Sequence, residues 1–189
     1  GSTTRARMFY NRATKQFGYL KSHDAVLIDE ISTFEISSRD GELQSMLKGY
    51  LEAGRAAVDG ITFQSECGLG LVGNINLSKE LKPTGNDYYK ALPGVFRESA
   101  TLDRFHAFIE GWKIPRLGMK NILRGWTLNS EYFSEALHFL RTESMYESIF
   151  NQLVKTKEEN PDIRDVKAVR RIATAYCKLL FPHVSDIST

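Results

Sequence analysis

Ala25-Val-Leu-Ile28 is an unbroken apolar run that ends in two adjacent carboxylates, Asp29 and Glu30, before Ile31. A short apolar run bounded by polar residues reads as a strand buried on both faces, the kind that parallel α/β sheets contain. Acids at the carboxyl end of such a strand stand where open α/β sheets keep their ligand crevice. In a Walker B strand, one acid there holds hydrated Mg²⁺ and the next orients or polarises an attacking water. An ordinary core strand ending in surface acids has the same string. Residues 25–31 by themselves leave both readings open.

The surrounding pattern narrows the fold. Arg5–Phe9 predicts a short strand and Asn11–Lys21 a basic helix. Asp40 is placed to cap a helix through Leu43, Met46, Leu47, Tyr50 and Leu51 that stops at Gly54. Residues 55–66 predict one or two short strands, Leu69–Ile75 a second apolar strand, and the Lys82-Pro-Thr-Gly-Asn86 cluster a loop. Short helices near Tyr88–Leu92 and Ser99–Phe105 precede a strand at Ala107–Trp112. Strand and helix alternate to this point, which predicts an α/β three-layer sandwich.

Beyond Pro115 the strand patterns stop. Ser130 opens a helix with Phe133, Leu137 and Leu140 on one face, Tyr146–Lys155 reads as another, and Asn160-Pro-Asp162 starts the last. In that last helix Val166, Val169, Ala173, Tyr176 and Leu180 form an apolar stripe. The expected organisation is a leader at 1–4 beginning with a Gly1-Ser2 cloning scar, an α/β core over 5–114, and an α-helical lid over 115–189.

Bulk properties exclude several classes. A chain of 189 residues can build one core with a small attached lobe. A net charge of +2 implies neither nucleic-acid nor membrane binding by itself. No apolar stretch approaches the ~18 residues of a membrane span, and no signal peptide opens the chain. Cys67 and Cys177 lack metal-ligand spacing, and the four histidines are scattered. The expectation is a reduced, cytoplasmic protein with no membrane attachment.

Four further positions carry chemistry. Asn74 ends the second apolar strand, where an amide beside the acids could hydrogen-bond both an attacking water and a γ-phosphate. It could equally be a turn residue. Asn76 is the fallback for the same role. Arg104, between apolar anchors in Leu102-Asp-Arg-Phe105, could reach a neighbouring subunit's γ-phosphate as an arginine finger, or simply pair with an acid of its own chain. On the last helix Arg164, Lys167, Arg171 and Lys178 share a narrow sector opposite the apolar stripe. Arg164 lies in the first turn, where the helix N-terminus also favours an anion. That is where a nucleotide-sensing arginine of a helical lid belongs, and a solvated basic face is the alternative. Trp112, Lys113, Arg116, Lys120, Arg124 and Trp126 interleave aromatic and basic residues, a pattern that can stack and neutralise nucleic acid or pack a linker.

One motif is absent and one is a decoy. No G-x-x-x-x-G-K-[ST] occurs in the 189 residues, so the phosphate cradle and its lysine are not among them. Gly68-Leu-Gly-Leu-Val-Gly73 matches the dinucleotide fingerprint as a string, yet its last glycine sits inside an apolar strand instead of opening a helix.

Taken together, Phe9-Tyr-Asn11, Ala25–Ile31, Leu71-Val-Gly-Asn-Ile-Asn76, the block from Leu102-Asp-Arg-Phe-His106 to Lys113-Ile-Pro115, and Arg164–Arg171 through Leu180-Phe-Pro-His183 resemble the BrxL family. These are Lon-protease-like AAA+ ATPases of bacteriophage-exclusion (BREX) defence systems. The resemblance implies the AAA+ (P-loop NTPase) core lacking its first strand and phosphate loop, followed by the α-helical lid. It implies Asp29 and Glu30 as the Walker B pair, with Asp29 holding Mg²⁺ through water. Asn74 would be sensor 1, Arg104 the trans-acting finger and Arg164 sensor 2, with Arg171 on the same face. It also implies ATP and Mg²⁺ as cofactors, a homo-oligomeric ring, DNA binding, and other phage-defence proteins as partners. Lacking a phosphate loop, the fragment alone is expected to be inactive, and no Ser-Lys proteolytic domain can be placed in it. The alternatives are an ATP-dependent Lon-like protease motor and a non-catalytic nucleic-acid-binding or assembly module with a decayed ATPase fold.

Overall fold

Arg5-Ala-Arg-Met8 are good helix formers, and they coil into helix α1 (Arg5–Met8) where the alternation predicts a strand. Strands β1 (Tyr10–Asn11) and β2 (Gln16–Phe17) then pair antiparallel, in place of the basic helix predicted over 11–21. The cause is local. Asn11 Oδ1 accepts from the backbone N–H of Ala13 (3.0 Å) and Thr14 (3.2 Å), a side-chain turn that competes with the helix, and Lys15 completes the reversal at φ 55°. Helical structure returns only in α2 (Tyr19–Ser22).

The computed structural model describes residues 5–33, 41–85, 88–155 and 162–184. They form a mixed α/β chain in two units, Gly1–Phe105 and His106–Thr189. Asp40, the predicted cap, lies outside the described residues.

In the first unit the apolar run becomes strand β3 (Ala25–Ile28). Helix α3 (Gly41–Ala53) buries Leu43, Met46, Leu47 and Tyr50 at the predicted spacing and ends at Gly54, whose φ of +66° is the left-handed stop. Residues 55–66 resolve into a hairpin of β4 (Arg55–Val58) and β5 (Ile61–Gln64), joined by Asp59 and Gly60 at φ 52° and 77°. Two positive φ values make a type I′ turn, the geometry that Asp-Gly favours. Strand β6 (Gly68–Leu71) is shorter than the predicted 69–75 and runs parallel to β3, from Ala25↔Gly68 to Ile28↔Leu71. Helices α4 (Gly94–Arg97) and α5 (Ser99–Leu102) close the unit, burying Val95 and Phe96 with Phe9, Leu20 and Ile31.

The predicted sandwich needs one continuous sheet. Among the described residues the strands pair off as three two-stranded sheets, β1–β2, β3–β6 and β4–β5. Parallel strands are normally covered on both faces. Here Leu27 of β3 is 70% exposed, so the parallel pair is covered on one face only.

In the second unit the predicted strand at Ala107–Trp112 is irregular, with one 3₁₀ turn at Gly111–Lys113 and a ring contact between Phe108 and Trp112. An alternating stretch becomes a strand only when an edge is there to pair with it, and none of the described strands lies in this unit. Helices α6 (Ser130–Arg141), α7 (Met145–Leu153) and α8 (Ile163–Leu180) follow near their predicted positions. Asn129 caps α6 by accepting from Glu131 and Tyr132, and Asp162 caps α8 by accepting from Arg164. Tyr146 and Phe150 of α7 are buried, and the Tyr146 hydroxyl donates to the Phe181 carbonyl just after α8 (3.1 Å). Three of the five residues in the predicted α8 stripe stay open: Val169, Tyr176 and Leu180 are each more than half exposed.

Candidate functional site

The β3–β6 ladder changes where the two acids begin. The Val72 N–H donates to the Ile28 carbonyl (2.8 Å), and the Ile31 N–H donates to the Val72 carbonyl (2.9 Å). A regular parallel ladder would use residues two apart around Val72; here they are three apart. Asp29 and Glu30 together therefore face one residue, which is a bulge. The Glu30 N–H that leaves the ladder is taken up by Asp29 Oδ1 at 2.7 Å. Glu30 itself sits at φ 50°, a left-handed conformation that costs a non-glycine residue about 1–3 kcal/mol. Its carbonyl accepts twice from Thr33, from the N–H (2.9 Å) and from Oγ1 (2.8 Å). The outcome is two exposed carboxylates at the carboxyl end of a parallel strand, with Glu30 bonded through both its N–H and its carbonyl.

The neighbouring strand delivers the amides. Gly73 follows the last ladder bond and packs so closely on Ile31 that a Cβ there would meet Ile31 Cγ2 at 2.8 Å. Asn74 is the next residue, exposed, past the end of β6. It thus emerges at the same end of the pair as Asp29 and Glu30. Asn76 lies further along, its carbonyl accepting from the Thr84 N–H (3.0 Å) and Oγ1 (3.1 Å), so that it belongs to a loop closure.

Arg104 follows α5 and is held within its own unit. Its Nε pairs with Glu52 Oε2 of α3 at 3.2 Å, and its Nη1 donates to the Ala100 carbonyl. The side chain is 14% exposed. This is the intrachain pairing that the sequence left open.

The cations of α8 belong to the second unit. Arg164 stands in the first turn, its N–H capped by Asp162. Arg171 donates from Nη1 to Nε2 of His106 at 2.7 Å. Burial, and then the Arg171 charge, lower the pKa of His106 below the ordinary 6.5. Lys178 donates to the Arg141 carbonyl at the end of α6 (2.9 Å), and Arg170 pairs with Glu147 of α7.

The geometry adds three residues to the predicted set: Thr33, Glu52 and His106. Thr33 lies three residues after Glu30, a spacing at which a hydroxyl reaches back to a carbonyl, so a local signal existed. Glu52 and His106 are brought in only by tertiary packing.

Oxygen donors of this kind suit a hard cation. Mg²⁺ keeps several waters and is ordinarily held by one or two carboxylates plus substrate phosphates. Asp29 and Glu30, exposed and adjacent, fit that requirement. Among the described residues no group of three or more His, Cys, Asp or Glu stands together as a metal cage. No described helix is long and apolar enough to cross a membrane.

The family described as Lon-like protease BrxL-like, ATPase domain, has a model that matches residues 1–189. The chain is 31% identical over 182 residues to the Lon-like protease BrxL of Escherichia coli O9:H4 (strain HS), covering 96% of this chain and 26% of that protein. It is 28% identical over 184 residues to the Lon-like protease BrxL of Bacillus cereus (strain H3081.97), covering 97% and 27%. The chain thus spans about a quarter of the length of these relatives.

Proposed function

This chain belongs to the BrxL-like ATPase-domain family, and from that premise we propose that it is the water-activating half of an ATP-hydrolysing site. In this reading the chain is an AAA+ core without its first strand and phosphate loop, followed by a helical lid. The full-length protein hydrolyses Mg·ATP at the interfaces of a homo-oligomeric ring that acts on DNA in antiphage (BREX) defence.

The observation that carries the reading is the bulge that holds Asp29 and Glu30 at the end of a parallel strand. Asp29 would hold Mg²⁺ through water, and the cation supplies charge neutralisation on the β- and γ-phosphate oxygens. Glu30 orients the attacking water and takes its proton, and Asn74 donates to the phosphate from the adjoining strand. Arg104 serves the neighbouring subunit's site, which requires it to leave Glu52. Arg164 and Arg171 read the nucleotide from the helical lid.

The 189 residues contain no phosphate loop, so nothing in them matches the motif that grips the triphosphate. The fragment alone is accordingly proposed to be inactive. Trp126, fully exposed at 103%, and the exposed cations Lys120 and Arg124 support DNA contact by stacking and neutralisation. The relatives are named Lon-like proteases as whole proteins, of which this chain matches about a quarter.

The test is Mg²⁺-dependent ATP hydrolysis by the full-length protein. Glu30→Gln should abolish turnover while ATP binding persists. Normal hydrolysis by Glu30→Gln would overturn the assignment.

A further inference from the structure

Glu30 occupies a backbone conformation that glutamate rarely adopts, at φ 50°, within a bulge of one extra residue between Ile28 and Ile31. A left-handed glutamate persists only where its surroundings fix it more than once. Its N–H is tied to Asp29 Oδ1 (2.7 Å). The next residue is tied to Val72 on the partner strand (2.9 Å). The remaining tie is to Thr33, whose N–H (2.9 Å) and Oγ1 (2.8 Å) both donate to the Glu30 carbonyl. The N–H bond is what any residue in the 3₁₀ turn Ile31–Thr33 would make. The hydroxyl bond is specific to the side chain at position 33.

The backbone angle of Glu30 sets the direction in which its side chain leaves the chain. A group that orients an attacking water must be held to a fraction of an ångström, because a displacement of about 1 Å can cost ~10²-fold in rate. We infer that Thr33 is a positioning residue for Glu30, its hydroxyl locking the bulge so that the Glu30 carboxylate faces the reacting water. This rests on the ATP-hydrolysing reading given above and adds to it a residue with no contact to nucleotide. Thr33 is exposed, so removing its hydroxyl leaves the buried core untouched.

The experiment compares Thr33→Val, Thr33→Ser and Glu30→Gln in the full-length protein. It measures kcat and KM for ATP together with the thermal midpoint. Thr33→Val is expected to lower kcat about tenfold, the size of one lost hydrogen bond, with KM unchanged and the midpoint lowered by no more than the few degrees that one hydrogen bond accounts for. Thr33→Ser, which keeps the hydroxyl, is expected to restore kcat. Wild-type kcat in Thr33→Val alongside a dead Glu30→Gln overturns the positioning role and leaves the ATPase reading intact. Equal losses in Thr33→Val and Thr33→Ser, with lowered midpoints, also overturn it, because the side chain's role would then be structural. Full turnover in Glu30→Gln overturns the underlying reading instead. Should Thr33→Val fail to fold, Thr33→Ala deletes the same hydroxyl and carries the same expectations.

Discussion

Arg171 donates a hydrogen bond from Nη1 to Nε2 of His106 at 2.7 Å, which commits that nitrogen to accept and so keeps the imidazole neutral. Partial burial and then the Arg171 charge lower the His106 pKa below 6.5. The unfolded chain therefore binds more protons than the folded one near and below pH 6.5, and stability rises with pH in that range. The stabilisation from neutral His106 is complete above pH 6.5 and is lost as the pH falls below it. Thermal midpoints should drop between pH 7.5 and 5.5, and His106→Gln, an uncharged acceptor, should flatten part of that drop. Identical pH profiles for the two proteins would refute the coupling.

Arg104 presents two roles that mutation can separate. It is paired with Glu52 and bonded to the Ala100 carbonyl, yet the proposed mechanism asks it to reach a neighbouring site. Losing an arginine finger typically costs ~10³–10⁵-fold in turnover. Arg104→Ala in the full-length protein should therefore abolish hydrolysis while ATP binding persists. Glu52→Gln, which weakens the pair and keeps the guanidinium, should leave turnover near normal. If the two variants lose the same activity, the guanidinium works only through Glu52.

Strand β3 follows from its apolar run and helices α3, α6, α7 and α8 from their apolar spacing, which the sequence states directly, although only α3 and α7 bury residues of that face. The N-terminal hairpin was missed because one side chain, Asn11, redirects the backbone against a helical composition. The Asp59-Gly60 dipeptide is a two-residue turn signal that turns the one or two strands expected over residues 55–66 into the β4–β5 hairpin. The strand expected at Ala107–Trp112 failed for a different reason, since pairing depends on a partner edge that no local pattern reports. The position of Asp29, Glu30 and Asn74 at the ends of adjoining strands was legible, because the two apolar runs end there. The bulge between Ile28 and Ile31 was not, since it appears only in how Val72 pairs across the ladder.

Two glycines test how conformation and space combine. Gly54 and Gly60 both have positive φ, +66° and +77°. A Cβ at Gly60 meets nothing within 4 Å, whereas one at Gly54 would lie 2.4 Å from the Ser65 carbonyl oxygen. Gly60→Ala should cost only the left-handed penalty of about 1–2 kcal/mol. Gly54→Ala adds a clash with backbone that cannot retreat easily, worth about 1–3 kcal/mol more. Urea denaturation of the two variants measures the gap. Equal losses would mean that the α3–β4 junction yields.

The proposed DNA contact makes separate demands on its aromatic and basic members. Trp126 is fully exposed, and Lys120 and Arg124 are exposed in the same stretch, while Trp112 already packs against Phe108 in a tilted ring contact with centroids 6.1 Å apart. Stacking on a base is worth about 1–3 kcal/mol and does not depend on counterions. Each phosphate contact instead adds about one counterion's worth of salt dependence. In the full-length protein Trp126→Ala should therefore weaken binding to single-stranded DNA by roughly 5- to 150-fold with an unchanged slope of log affinity against log salt. Arg124→Ala should weaken binding less at high salt than at low salt and reduce that slope by about one. Fluorescence anisotropy across a salt series distinguishes the two. A Trp126→Ala protein with wild-type affinity at every salt concentration would remove this stretch from the DNA interface.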